Sequence, residues 1–187
     1  MASRNEELRA KIIELLDEHK VMTVATLRDD GWPQATMVGY VHDGLSLYFA
    51  AAMISQKVAN LGRDNRVSIA LGHEEPTRLR GLSMAARAEV VTDLGEIDSV
   101  NNLLSDRYHE QTRFSPRETQ SVIVRAIPIA ISIIDLGRGP GEPELVSVAD
   151  PGPGRTIVAR SRSGAEQDVT IHVVGSNRDA YRPGVPP

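Results

Sequence analysis

Ser55 and Lys57 carry the clearest chemical signal in this chain. They follow Tyr48-Phe49-Ala50-Ala51-Ala52-Met53-Ile54, a strand-like run that ends in small residues, and they open a helical stretch. A helix start presents backbone N–H groups and the positive end of the helix dipole, which together suit a phosphate. Lysine adds a mobile point charge, and the alanines let a flat ligand approach the strand backbone. The chemistry implied is recognition of a ring that bears a phosphate. The same residues also suit a plain helix start, with Ser55 as its cap and Lys57 in solvent. Basic positions elsewhere are nearly all arginine: the chain has only three lysines, Lys11, Lys20 and Lys57.

Other chemistries find little support. With no cysteine, thiolate metal sites, disulfides and cysteine nucleophiles are excluded. The histidines, His19, His42, His73, His109 and His172, show no H-E-x-x-H or H-x-x-H spacing, so each is expected to be a surface or turn residue and no metal is expected. Glu74 and Glu75 have no matching acidic pair for glycosidase-type acid–base work. Gly137-Arg138-Gly139-Pro140-Gly141 follows a strand, but Pro140 and Pro143 forbid the helix that a nucleotide loop requires, so it is read as a linker. A net charge of -4 provides no broad positive field for nucleic acid. No basic and apolar leader opens the sequence, and no apolar run approaches the roughly 20 residues of a membrane span. A soluble, cytoplasmic protein with no membrane partner is the expectation.

The elements that must position Ser55 and Lys57 follow from the periodicity. Leu8, Ile12, Leu15 and Leu16 recur at helical spacing between Ser3 and Lys20, with Ile13 widening the face and Ser3 and Glu6 fitting a capping box. Val21 to Leu27 is rich in β-branched residues and leads through Arg28-Asp29-Asp30-Gly31 into a second strand, Pro33 to Val41. His42-Asp43-Gly44 turns into a third, Leu45 to Ala50. A short helix over Ser55–Leu61, ending at Gly62, precedes strands Arg66–Leu71 and Leu79–Val91, the latter with a bend or close approach at Gly81. Helix Asp93–Tyr108 carries Leu94, Ile97, Val100, Leu103 and Leu104 as one stripe. Ser121–Asp135 is the last core strand, and Pro128 marks an edge or a bulge.

Trp32 is expected to pack on its own hairpin, with a ligand wall or a subunit contact as the other role. Arg78, Arg80 and Arg87 suit a solvated strand face. Beyond Leu136 the chain turns Gly/Pro-rich, giving two parts: residues 1–137 as the core domain and 138–187 as an extension, where Thr156–Ala159 and Val169–Val174 are candidates for a β-hairpin.

This order of elements resembles the pyridoxamine 5′-phosphate oxidase-like FMN-binding split β-barrels over roughly Glu7 to Leu136. The matching pieces are Val24-Ala25-Thr26-Leu27 with Asp30-Gly31-Trp32-Pro33, then Leu47-Tyr48-Phe49 and Ser55-Gln56-Lys57-Val58-Ala59-Asn60-Leu61. Asp64-Asn65-Arg66-Val67-Ser68-Ile69-Ala70, Ala86-Arg87-Ala88-Glu89-Val90-Val91 and the strand ending Ile134-Asp135 complete them. The resemblance implies a mainly β fold with flanking helices, a six-stranded antiparallel split barrel. It implies FMN as cofactor, with the second-strand backbone at Thr36, Met37 and Val38 along the ring, Ala50 and Ala51 along the ribityl chain, and Ser55, Gln56 and Lys57 at the phosphate. It also implies a homodimer with the cofactor between subunits and an oxidoreductase activity.

Several residues depart from the oxidases themselves. Gln56 stands where they carry arginine, Gln34-Ala35-Thr36-Met37 lacks their basic residues, and Gly81 replaces a polar side chain. Ala86 stands where the wider family often has glycine, and the tail after Leu136 does not resemble their substrate-binding end. Pyridoxamine phosphate is therefore not the expected substrate. The alternatives within the same fold are a deazaflavin- or haem-binding protein, or a non-catalytic flavin-binding or stress-response module.

Overall fold

The computed structural model describes residues 4–75, 78–108, 114 and 115, 120–135, 144–148 and 171–173. The elements are α1 (Arg4–Glu18), β1 (Val21–Leu27), β2 (Pro33–Gly39), β3 (Val41–Asp43), β4 (Ser46–Ala52), α2 (Gln56–Arg63), β5 (Arg66–Glu75), β6 (Arg78–Val90), α3 (Leu94–Tyr108), β7 (Ser121–Asp135), β8 (Glu144–Val148) and β9 (Ile171–Val173). All ladders are antiparallel, and seven strands run in the order β2-β1-β5-β6-β7-β4-β3. The two ends of this path curl toward each other: β2 and β4 approach without a hydrogen-bonded ladder, which makes the barrel split.

The sheet thus has nine strands where six were expected, for two reasons. Pro33 to Val41 reads as one extended run, but the chain leaves the β1 ladder at Gly39, and Val41–Asp43 pairs with β4 instead. Tyr40 is the pivot: its side chain is wholly buried and its Oη donates to Leu16 O at 2.9 Å. Second, β8 and β9 continue the sheet beyond residue 137, β8 pairing with β7 and β9 with β8. Within the expected Val169–Val174, Ile171–Val173 forms a strand whose partner is β8, while Thr156–Ala159, the other half of the expected hairpin, lies outside the described residues. So do Ser3 and Gly137–Gly141. Pro128 sits at a bulge: the β6–β7 register shifts between Ala85 and Ala86, and on its other side Pro128 falls between the β4 ladder, which ends at Ala126, and the β8 ladder, which starts at Ala130.

Two cores result. Alternation along the strands sends Met22, Val24, Leu47, Phe49, Ile69, Leu82, Met84 and Ile131 into the barrel, where Leu8, Ile12, Leu15 and Leu16 of α1 close one end. On the outer face of β3, β4 and β7, α3 packs Ile97 and Val100 against Val41, Tyr48 and Ile123. Leu94, expected in the same stripe, is 64% exposed because the helix begins there, before its buried face reaches the sheet.

The expected close approach at Gly81 is present. Gly72 and Gly81 face each other across β5 and β6, and a Cβ on Gly72 would lie 2.8 Å from Arg80 O. A Cβ on Gly81 would press on Leu71 O harder still, so neither position admits a side chain without moving backbone. Among the described residues, no helix is long and apolar enough to cross a membrane.

Candidate functional site

The strand registers place the ends of β1 and β4 and the starts of β2 and β5 at one end of the barrel, opposite α1. The short helix α2 lies across this end and touches both β1 and β4. Ser55 is its N-cap: φ -71° and ψ 149° are extended, and Oγ accepts from Val58 N at 3.4 Å. Ser55 O accepts from Ala59 N at 3.1 Å. The N–H groups of Gln56 and Lys57 belong to the first turn, which by geometry has no intrahelical acceptor. The helix runs one residue past Gly62 to Arg63, with Asp64 as C-cap in place of the expected glycine stop.

Lys57 does not project into solvent. It is 8% exposed, its Nζ lies 5.4 Å from the centroid of the Phe49 ring, and no carboxylate pairs with it among the described residues. Burial pushes its ammonium group below the ordinary lysine value. A desolvated cation that has an aromatic face and no counter-ion is an incomplete arrangement, which an anion would complete.

Strand alternation divides the other expected site residues. Thr36, Val38 and Ala51 turn toward the barrel interior, whereas Met37, 75% exposed, and Ala50 turn outward. They form no single side-chain surface. What β2 and β4 share is backbone: β2 pairs only through β1, and β3 covers only Ser46–Tyr48, so one edge of Phe49–Ala52 has no strand partner among the described residues. An open edge offers N–H and C=O groups in a row, which a ring with donors and acceptors on its rim can use whichever way the side chains point. Thr36 Oγ1 is buried and has no hydrogen-bond partner.

Gln56 is exposed, and its Nε2 donates to Asn60 Oδ1 at 2.9 Å. Asn60 is wholly buried; its Nδ2 donates to Thr26 Oγ1 at 2.9 Å and to Gln34 Oε1 at 3.3 Å. Residue-type reasoning overlooked Asn60, Thr26 and Gln34. The signal was available at Asn60, an amide three residues from Lys57 on the face that also buries Leu61.

Two residues set aside behave differently from expectation. Trp32 does not pack on its hairpin: it is 71% exposed at a tight turn in which Gly31 has φ 82° and Asp30 Oδ1 accepts from Trp32 N at 3.1 Å. His19, expected at the surface, is buried with Nδ1 2.9 Å from Leu15 O.

Groups of this kind, a buried cation at a helix start beside two open strand edges, suit a flat, phosphorylated ligand. Known proteins share the frame. General stress protein 26 of Bacillus subtilis is 29% identical over 69 residues, 37% of this chain and 49% of that protein, so the match spans about half of the relative's length. A conserved hypothetical protein of Mycobacterium tuberculosis is 25% identical with a TM-score of 0.60 over 76% of this chain and 91% of its own. The fold alone is shared with a FAD-binding protein of Mesorhizobium loti (19% identity, TM-score 0.55, 72% of this chain and 95% of that one). It is shared likewise with a heme binding protein of Mycobacterium smegmatis (21%, 0.58, 79% and 59%). Residues 8–134, well over half of the sequence, match the family model described as pyridoxamine 5'-phosphate oxidase. The chain belongs to the pyridoxamine 5'-phosphate oxidase family.

Proposed function

We propose that the protein is an FMN-dependent oxidoreductase of the cytoplasm, a homodimer that uses a substrate other than pyridoxamine phosphate. The observation that carries this reading is the buried Lys57 beside the α2 helix start, which no carboxylate among the described residues pairs. Ser55, the first-turn N–H groups and Lys57 hold the phosphate, with Gln56 adding a neutral donor. Ala50 and Ala51 leave room for the ribityl chain, and the open edge of β2 at Thr36, Met37 and Val38 binds the rim of the ring.

Bound FMN supplies hydride or electron transfer. The protein's own part is to bind, orient and screen it from water. Neutral Gln56 and bare Ala35 weaken any second anionic contact, which argues against a phosphorylated vitamin as substrate.

A homodimer is supported by the outer face of the sheet. Ala35, Ala25, Ser68, Ala85 and Ala130 are cross-strand neighbours over five strands, a row of small uncharged residues. Two copies can approach closely there about a two-fold axis. The second reading is a haem protein, favoured by the likeness to the heme binding protein of M. smegmatis.

The absorption spectrum of the purified protein separates flavin from haem. FMN titrated into apo-protein should lose its fluorescence with a dissociation constant in the micromolar range or below, on the order of -8 kcal/mol. No quenching at tens of micromolar overturns the FMN reading, and sedimentation as a monomer overturns the dimer.

A further inference from the structure

Asn60 makes more contacts than its place in an eight-residue helix requires. Its Nδ2 donates to Thr26 at the end of β1 and to Gln34 at the start of β2, and its Oδ1 accepts from Gln56 Nε2 and Arg63 Nη2, both at 2.9 Å. An asparagine amide has two donors and two lone pairs, so all four are used. The orientation is internally determined, since a guanidinium only donates and the atom facing Arg63 must be the oxygen. Thr26 is buried as well, so this cluster lies where polar groups are costly unless fully paired.

The consequence concerns α2 as a whole. Two turns of helix do not hold themselves in place, and their attitude is set by tertiary contacts. On the face turned to the barrel those contacts are Lys57, Asn60 and Leu61. Asn60 alone among them reaches both β1 and β2. Arg63 extends the tie to the hairpin through Asp29 at 3.7 Å. The helix start and the β2 edge are therefore held at a fixed spacing through one amide.

We propose that Asn60 is a positioning residue for the cofactor: it fixes the phosphate-binding start of α2 relative to the ring-binding edge of β2. The proposal rests on the FMN reading above. Gln56 is part of the device, because its Nε2 donates to Asn60 Oδ1. A ligand that spans both ends senses this spacing, whereas one that occupies only the ring end does not. Small misplacements of binding groups weaken such interactions steeply.

The test compares FMN with riboflavin, which lacks the phosphate, by fluorescence quenching on the full chain. Wild type should prefer FMN. Asn60→Ala should raise the FMN dissociation constant about tenfold while the riboflavin constant stays within about twofold, the scale of one lost charge-assisted contact. Thr26→Val keeps the shape and removes one acceptor; it should show the same selective loss in smaller degree, and it serves should Asn60→Ala not fold. Equal losses for both ligands mean a merely structural role and overturn the proposal. An undiminished FMN preference in both variants overturns it too. A wild-type protein that binds FMN no better than riboflavin overturns the phosphate reading itself, and this proposal with it.

Discussion

The two ends of the barrel are closed by helices in opposite electrostatic styles. At the α1 end, charges meet partners. Arg80 Nη2 and Nη1 reach Glu14 and Glu18 at 2.9 and 2.8 Å, and His42 Nε2 lies 3.0 Å from Asp17. Arg107 donates to the carbonyls of Leu16, Asp17 and His19, with the Tyr40 ring 5.2 Å away. Tyr108 Oη accepts from Tyr40 N and lies 2.8 Å from Lys20 O. These groups satisfy the last carbonyls of α1 and place positive charge at its negative end. At the α2 end a lysine is buried over a phenyl ring, and no carboxylate among the described residues pairs with it. The same chain pairs its charges where it needs rigidity and leaves one unpaired beside open strand edges. Such an asymmetry suits a site for an anionic ligand, whose charge would pair with the buried lysine.

The sharpest way to break this comparison is to remove the clasp. Arg107→Ala strands several carbonyls at the end of α1 and should cost about 2–4 kcal/mol of unfolding free energy, measured by urea titration. FMN affinity should be unchanged; a parallel loss of affinity would mean that the two ends are not independent.

Lys57→Met should act in the opposite sense. It removes a desolvated charge while keeping an unbranched stem, so the apo-protein should gain on the order of 1 kcal/mol. FMN binding should weaken by about 1–3 kcal/mol, the range of a charge-assisted contact. A variant that is less stable and binds FMN normally would place Lys57 among the ordinary packing residues.

The smallest effect is in pH dependence. Burial holds the Lys57 ammonium below its ordinary value of 10.5, whereas the unfolded chain keeps that value. Between the two the unfolded state binds more protons, so apo-protein stability should rise with pH through this window. FMN needs the charged form, so its affinity should fall as pH rises through the same window, with riboflavin flat. An FMN affinity constant up to 10.5 would remove the lysine charge from the binding account.

Much of the frame was legible along the chain. Leu8, Ile12, Leu15 and Leu16 fixed the buried face of α1, and Asp30-Gly31 marked a turn that does have a positive φ at the glycine. Gly81 marked a bend or a close approach, and the approach is present; Pro128 marked an edge or a bulge, and the bulge is present. What escaped are features that depend on partners distant in sequence. Nothing in Pro33 to Val41 shows that Tyr40 will be drawn onto the α1 end and Val41 handed to β4, 68 residues separating Tyr40 from the Tyr108 hydroxyl that it meets. Trp32 has the composition of a packing residue, yet at its turn it stays largely exposed.

The candidate site divides along the same line. Ser55 at an N-cap and Lys57 in the first turn of α2 follow from local spacing, because capping and helix phase act within four residues. Sequence alone determined which groups stand at that helix start. Tertiary structure decided that Lys57 is buried against Phe49, that Ala50 and Ala51 face opposite ways, and that Asn60 binds α2 to β1 and β2. Burial, facing and fastening are properties of surfaces brought together from distant parts of the chain, and no local pattern encodes their meeting.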